Sequence, residues 1–352
     1  MKKTRVLVLF NKPVLTPGEP DYEAEQDIIY TVDVVTQALR DGGYHVCLLG
    51  VGNEPEVLLK GIRKERPDVI FNLYEGIADL PKTESYVAAL VEWLDIPYTG
   101  SKFRALSFGQ RKHLVKTLFV GAGLPTAEFF VVERLPVTDC PIEFPVIIKP
   151  AEQDASVGID QNAVAVNSKQ LNDRVGFILE EYGPPVLVER FLRGRELNVA
   201  LIELPELRPL PPSEILFVDD DPNYWPLISY DSKWRAGSRD DRATPPKYPA
   251  EVSDQLREQL QDLACKAFRL LDCSDYARVD FRLDEDERPY ILEVNPNPDI
   301  SPNAGFAKAL KTIHLPYETF VCSMVENCLR RKPRPRAEQS ALAAIATLPE
   351  PY

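Results

Sequence analysis

The first hundred residues alternate between short apolar runs and longer segments with helical spacing of apolar positions. "TRVLVLF", "YHVCLLG" and "PDVIFNLYEG" are compact apolar runs, which predict buried strands. Residues 25–41 and the segment "PEVLLKGIRKER" predict amphipathic helices, and the first of these ends at Gly42-Gly43, a C-cap signal. This alternation predicts a parallel sheet with helices on both faces. With a helix at about 83–94 and the segment "IPYTGS", a first domain spans residues 1–105.

Two further regions follow, in which strands and helices mix differently. In residues 106–193, "AEFFVV", "FPVIIKP", "AVAVN" and "PVLVERFL" predict a small antiparallel sheet, with helices at "GQRKHLVKTLFVGAG" and "SKQLNDRVGFILEEY". Residues 194–331 contain a polar stretch at 219–249, and loops of that length are usually functional lids or disordered. Residues 332–352 predict a tail with a short helix. The fold class is therefore α/β, with a parallel N-terminal domain followed by two α+β subdomains.

The composition narrows the class of protein and its partners. The chain of 352 residues is 44% hydrophobic and 27% charged, as in ordinary globular proteins. Its net charge of −13 argues against a nucleic-acid partner, although a few local lysines could still hold phosphate. The six cysteines show no metal-binding spacing, and the apolar run "VLVLF" is too short for a signal peptide or membrane span. We therefore expect a reduced, cytoplasmic protein with no membrane partner.

A pair of strands near the C-terminus carries the clearest chemistry. In "DYARVDFRLDEDERPYILEVNPN", two apolar-alternating runs flank an acidic loop, so they should pair as a hairpin with Asp280 opposite Glu293, within one residue. Side chains repeat every second residue on a strand face, so Glu293 and Asn295 point the same way. Two carboxylates and an amide oxygen are ligands that suit Mg²⁺ with phosphate oxygens. The alternative interpretation is an exposed acidic hairpin without a metal.

Three other positions point to a nucleotide but are ambiguous one by one. Lys149 ends the apolar strand "FPVIIKP", where it would either bind phosphate or extend its ammonium to solvent as a structural residue. The loop that follows contains Ser156 and Gly158, and its backbone amides could cover phosphates. Glu189 ends the strand in "VLVERFL", where it would bind a base or ribose, or simply face solvent.

Taken together, these segments resemble the ATP-grasp superfamily and, within it, the D-alanine–D-alanine ligases. The resemblance covers about residues 1–330 and is strongest at "IPYTGS", "GAGLP", "FPVIIKP…SVG", "VLVERFLRGRE" and "RVDFRLDEDERPYILEVN". It implies an ATP-grasp fold in which the two α+β subdomains clamp ATP, with Mg²⁺ or Mn²⁺ as the metal. It also implies small-molecule carboxylate and amine substrates, and a homodimer is compatible with it.

The resemblance implies a role for each matching residue on the phosphate side. Lys112 and Lys149 would contact the nucleotide phosphates, and the Ser156 hydroxyl would belong to the loop that closes over them. Lys233, in "YDSKW", would contact phosphate from a mobile lid at 219–249. Arg278 would steady the tetrahedral intermediate.

Other matching residues would hold the nucleoside and the metal. Glu189, with backbone groups of Phe191 and Leu192, would form the adenine-binding segment, and Glu196 would bind the ribose hydroxyls. The Mg²⁺ ligands would be the three hairpin residues Asp280, Glu293 and Asn295.

The sequence departs from the family where the amino-acid substrates would bind. Asp299 replaces the glycine of the family's Ser-Pro-Gly, and the family's Ser-Leu falls near Ala304-Gly305, with Ser301 close by. A D-alanine carboxylate should therefore bind poorly, and an acceptor that lacks an α-carboxylate or carries a positive charge should fit better, because Asp299 could pair with it.

The first domain departs from the family as well. The family's Gly-Glu-Asp-Gly loop corresponds to about Lys82-Thr83-Glu84-Ser85, and Glu25 and Asp27 are candidates for the acid that takes the donor's ammonium.

The sequence thus predicts an ATP-dependent, ADP-forming ligase that joins a carboxylate to an amine through an acyl phosphate. A ligase for amino acids or dipeptides is the favoured form. The alternatives are a true D-alanine–D-alanine ligase of peptidoglycan synthesis and a nucleotide-binding protein without ligase activity.

Overall fold

The computed structural model describes residues 3–13, 22–77, 80–154 and 156–331, without the side chains of residues 22–27. The predicted tail at 332–352 lies outside these ranges. None of the helices within them is long and apolar enough to cross a membrane. The helices are α1 (Tyr22–Asp41), α2 (Pro55–Glu65), α3 (Thr83–Trp93), α4 (Phe103–Gly109), α5 (Lys112–Gly121), α6 (Ser168–Glu181), α7 (Tyr230–Trp234), α8 (Arg239–Ala243), α9 (Asp254–Leu270), α10 (Gly305–Thr312) and α11 (Tyr317–Arg330). The strands are β1 (Arg5–Asn11), β2 (His45–Val51), β3 (Val69–Leu73), β4 (Phe129–Val132), β5 (Val146–Pro150), β6 (Val164–Ala165), β7 (Val186–Arg190), β8 (Glu196–Glu203), β9 (Leu207–Pro209), β10 (Ser213–Ile215), β11 (Pro246–Lys247), β12 (Tyr276–Leu283) and β13 (Pro289–Asn295).

The first sheet is parallel, in the order β2-β1-β3. Alternate residues of β1 face opposite sides. Val6 and Val8 pack against α1 and α11, whereas Leu7 and Leu9 pack against α2 and α3. The predicted parallel sheet with helices on both faces is confirmed, but one of the covering helices, α11, comes from the far end of the chain.

The second sheet has the order β4-β7-β5-β6, and its neighbouring strands are antiparallel, as predicted. Helix α6 covers one face, and its buried residues Leu171, Val175 and Ile178 pack on Val146 and Ile148 of β5. The opposite face, which bears Ile147 and Lys149, faces the third sheet across a cleft. This small layer is what holds Lys149 in position.

The third sheet runs β11-β10-β8-β12-β13, with β9 paired to β8, and is antiparallel. On β12, Val279 and Phe281 are fully buried against α9, so Arg278, Asp280 and Arg282 face the cleft. The register places Asp280 directly opposite Glu293, which confirms the predicted hairpin. Beyond that pair the register shifts, and Phe281 pairs with Ile291.

The polar stretch 219–249 contains more regular structure than the sequence suggested, since α7, α8 and β11 lie within it. It is bound to the second region at two points. The Gln161 carboxamide accepts from the Trp225 amide (2.7 Å) and donates to the Trp225 carbonyl (3.2 Å), and the Tyr230 amide donates to the Ile159 carbonyl (2.9 Å). In this structure the segment therefore lies closed against the loop that would cover phosphates.

A buried carboxylate joins the beginning and the end of the chain. Asp275, which is 0% exposed, accepts hydrogen bonds from the Gly100 amide (2.7 Å) and Asn327 (2.9 Å), and its other partner is Arg331. The last helix, α11, is thus fixed to both the first domain and the third sheet.

Candidate active site

A cavity of about 510 Å³ lies between the second and third sheets. This volume is typical of small-molecule sites. Among the described residues, every one predicted to bind the nucleotide or the metal or to act in catalysis lines it, except Asn295. The fold therefore brings together positions that are as far apart in sequence as Lys112 and Glu293.

Lys112 begins α5 and reaches into the cavity beside the loop that follows β5. Its ammonium donates to the Gln153 carbonyl and to Asp154 Oδ1, both at 2.6 Å, and lies 3.6 Å from Glu293 Oε2. Burial alone would lower the pKa of Lys112, but the carboxylates of Asp154 and Glu293 outweigh it and raise the pKa above its ordinary value. The side chain is therefore a permanent cation at the predicted phosphate position.

The two hairpin carboxylates are each balanced by a cation. The Arg278 guanidinium donates to both Asp280 oxygens, at 2.7 and 2.8 Å. Burial raises the pKa of Glu293, but the charges of Lys112, Lys233 and other cavity cations outweigh it and lower the pKa to about 2. The Glu293 carboxylate is therefore ionised at neutral pH, the form that binds a metal.

The oxygen donors fit the predicted metal by chemical type. Arg278 and Asn295 are register partners two positions from the Asp280–Glu293 pair, so two carboxylates and an amide lie close together on adjacent strands. The Asn295 side-chain oxygen accepts from the Asn297 amide (2.9 Å). The described residues contain no group of three or more His, Cys, Asp or Glu side chains placed to hold a metal. A divalent cation would thus rely on these three residues together with phosphate oxygens.

Lys149 belongs to a buried ion network that the sequence did not predict. Glu189 is 1% exposed, and its two oxygens contact the ammonium groups of Lys149 and Lys116. Lys116, on α5, is also 1% exposed and donates to Thr126 Oγ1 at 2.7 Å. Helical spacing did not distinguish Lys116 from the other polar residues of its helix. Its burial follows from the packing of α5 near β7, which the sequence pattern does not show.

The charge of Lys149 is sensitive to its surroundings. Burial lowers the pKa of its ammonium to about 8, the charges of Glu293 and Glu196 oppose that shift, and Lys112 acts in the same direction as burial. Charged groups face it from four elements, and these are Glu189, Lys112, Glu293 and Glu196. A phosphate at this position would favour the protonated form.

The segment after β7 fits a purine. The Phe191 amide donates to the Pro145 carbonyl (3.0 Å), and the Leu192 carbonyl accepts from Arg282 (2.9 Å). No described residue bonds to the Phe191 carbonyl or the Leu192 amide. One amide donor and one carbonyl acceptor beside the Trp225 ring, whose centroid lies 5.3 Å from that of Phe191, match the acceptor and donor of an adenine edge.

Arg282 is a second residue that sequence reasoning missed. It donates to Glu196 Oε2 at 2.7 Å, and its other bonds reach the carbonyls of Leu192 and Pro226. Burial raises the pKa of Glu196, and the Arg282 charge opposes that shift. The signal was present, since Arg282 follows Arg278 and Asp280 at the period-two spacing of one strand face.

The loop after β5 is shaped by its backbone. Ser156 lines the cavity with φ +62°, a left-handed conformation that non-glycine residues seldom adopt. At Gly158 (φ +70°) a Cβ would lie 2.9 Å from both Pro150 and Tyr182. Lys233, in α7 of the closed segment, lines the same cavity. Residues 156–159 therefore pack tightly on the end of β5, beside Lys149.

The residues predicted to lie where the amino-acid substrates bind do not form one cluster. Asp299 is exposed and accepts from the Ser301 amide (2.7 Å) and hydroxyl (3.1 Å). It is not among the described residues that line the cavity. Glu84 accepts from Asn297 (2.7 Å) and Gln110 (3.0 Å), and burial raises its pKa to about 8. The side chains at positions 25 and 27 lie outside the described part of the chain.

Residues 118–326 match the family model described as D-ala D-ala ligase C-terminus. This chain belongs to the D-alanine–D-alanine ligase family. It is 30% identical to an uncharacterised protein of Sinorhizobium fredii over 93% of this chain and 94% of that one. It is 31% identical to a D-alanine–D-alanine ligase of Geobacter sulfurreducens over 76% and 78%. The D-alanine–D-alanine ligase of Bacillus anthracis, solved in complex with ATP, has a TM-score of 0.72 at 19% identity and covers 93% of this chain and 98% of its own.

Family membership confirms the predicted ATP-grasp fold and the enzyme class, an ATP-dependent and ADP-forming ligase. The enzyme class implies ATP as the nucleotide, and Mg²⁺ is the metal that this family generally requires. The roles of individual residues, the substrates, the domain boundaries, the dimer and the cytoplasmic location stay predictions.

Proposed function

We propose that this chain is an amino-acid ligase, which joins the carboxylate of one amino acid to the amine of another molecule. The observation that supports this best is the convergence of cations in the cavity. Lys112, Lys149, Lys233 and Arg278 line one space in a protein of net charge −13. They face the hairpin carboxylates, an arrangement suited to a triphosphate and a divalent cation.

The proposed reaction needs no nucleophile from the protein, because the two substrates supply both nucleophiles. An oxygen of the donor carboxylate attacks the γ-phosphorus of ATP, the bond to the bridging oxygen breaks, and ADP leaves. The acceptor amine then attacks the carbonyl carbon of the acyl phosphate. The carbon–oxygen bond to phosphate breaks, inorganic phosphate leaves, and the amine nitrogen loses a proton.

The protein contributes charge and position to both steps. Lys112 and Lys149 would hold the phosphates, and Lys233 would reach the γ-phosphate from the closed segment. Mg²⁺, held by Asp280, Glu293 and Asn295, would neutralise phosphate oxygens. Arg278 would stabilise the negative charge that develops on the carbonyl oxygen.

The second candidate is a true D-alanine–D-alanine ligase, which the names of several relatives favour. Ala304-Gly305 argues against it, because neither residue offers the hydroxyl that the family resemblance leads one to expect. A nucleotide-binding protein without activity is less consistent with the paired Arg278 and Asp280 in the cavity.

The deciding experiment traps the acyl phosphate with hydroxylamine, which needs no acceptor subsite. The protein is mixed with ATP, Mg²⁺, hydroxylamine and an equimolar mixture of D- and L-amino acids, and hydroxamate and ADP are measured. We expect both products. Their absence would reject the ligase, and brisk synthesis of D-alanyl-D-alanine from D-alanine alone would establish the second candidate.

A further inference from the structure

One wall of the cavity has no role in the reaction described above. It is formed by Tyr248, which directly follows β11, and by Gly305 and Lys308 in the first turn of α10. All three line the same cavity as Arg278. The Arg278 charge also acts on the Tyr248 hydroxyl, since it partly offsets the burial that raises the pKa of that group.

Glycine at position 305 is what allows the Tyr248 ring to approach α10. A Cβ at Gly305 would lie 2.8 Å from the Tyr248 hydroxyl oxygen, closer than real Cβ contacts. This is the position at which the family resemblance leads one to expect a Ser-Leu. Here the hydroxyl comes instead from a different element of the fold, and the glycine leaves the space that this hydroxyl occupies.

Neither of the two polar groups of this wall has a hydrogen-bond or ion-pair partner within the described ranges. No described residue forms a hydrogen bond with the Tyr248 hydroxyl, and none forms an ion pair with Lys308. The Lys308 ammonium lies 5.6 Å from the centroid of the Tyr248 ring, so the two belong to one surface. Lys112 and Arg278, in contrast, are already paired with carboxylates.

The charge at this wall is therefore positive. Asp299, which the sequence suggested as a negative neighbour of the acceptor, is held by Ser301 and is not among the described residues that line the cavity. Asp299 therefore gives no reason to expect a positively charged acceptor. Lys308, which has no ion-pair partner among the described residues, favours an acceptor with a negative charge.

We propose that Tyr248 and Lys308 receive the acidic side chain of the acceptor, which makes the acceptor an acidic amino acid such as aspartate or glutamate. The inference rests on the proposed function and narrows its acceptor. The ammonium supplies the charge and the phenol donates one hydrogen bond to the carboxylate.

The test compares acceptors that differ only in charge. Transfer to aspartate and glutamate is measured against asparagine, glutamine and alanine, each in D- and L-form, with the donor that gives the most hydroxamate. We expect the acidic acceptors to be preferred by about tenfold or more in kcat/KM. Lys308→Met and Tyr248→Phe should each reduce that preference about tenfold, while Lys311→Met, on the same helix but outside the cavity wall, should not.

Hydroxamate formation separates this inference from the proposed function. If the wild-type protein forms no hydroxamate, the ligase itself is rejected and the inference with it. If hydroxamate forms equally in wild type and variants and only the acidic preference is lost, the inference is supported. Equal use of aspartate and asparagine by the wild type would overturn it, as would variants that lower hydroxamate and peptide formation in parallel.

Discussion

Replacing Glu189 by glutamine should destabilise the protein strongly, because two buried ammonium groups share its carboxylate. Lys149 lines the cavity and can regain water, but the Lys116 side chain is 1% exposed and cannot. Removing one partner of a buried ion pair typically costs about 3–5 kcal/mol. We expect a loss of that size in the free energy of unfolding, most of it from Lys116.

A second substitution tests the cause. Lys116→Met removes the stranded ammonium, so the double variant should recover most of the stability that Glu189→Gln loses. Urea unfolding followed by circular dichroism measures all three variants. Glu152→Gln is the matched control, because its ion pair with Lys82 is exposed and should contribute less than about 1 kcal/mol. If Glu189→Gln costs no more than Glu152→Gln, or if Lys116→Met adds to the loss, the buried network is not what stabilises this region.

Three further predictions concern the nucleotide. Asp280→Asn or Glu293→Gln should abolish ATP turnover while circular dichroism shows an intact fold, and full activity in either would remove the metal assignment. Limited proteolysis within 219–249 should slow when an ATP analogue and Mg²⁺ are added. The Gln161→Ala variant should be cut faster than the wild type when no ligand is present. Equal cleavage rates in all of these samples would contradict a segment that closes over the nucleotide. Because burial lowers the pKa of Lys149 to about 8, calorimetry should show ATP-analogue affinity falling as pH rises through 8. Lys149→Arg should bind with little dependence on pH there, and parallel curves would assign the titration elsewhere.

The hairpin shows what sequence reasoning can reach. Alternation on two strands and the length of the acidic loop were enough to place Asp280 opposite Glu293 to within one residue, whereas the register shift beyond that pair was not predicted. The same reasoning could not find the contact of Glu189 with Lys116 and Lys149. Those residues lie on α5, β5 and β7, and only tertiary packing brings them together.

The acceptor wall was beyond prediction for a related reason. The family resemblance directed attention to positions 299 and 304–305, where expected residues are missing. Tyr248 belongs to a stretch that looked like plain polar loop, and its approach to Gly305 depends on how the segment after β11 packs against α10. An absent side chain is visible in a sequence, but the group that fills its space is not.

The covering of the first sheet by α11 has a consequence for how the chain is made. Val6 and Val8 leave the ribosome early, yet Phe320 and Met324, which bury that face, are among the last described residues to follow. A nascent chain that stops short of Asp275 and α11 has only α1 on that apolar sheet face, so the part that α11 buries stays open to other molecules. Truncated products should therefore aggregate or recruit chaperones rather than persist as a folded N-terminal half, and the fold becomes stable only once α11 has been made.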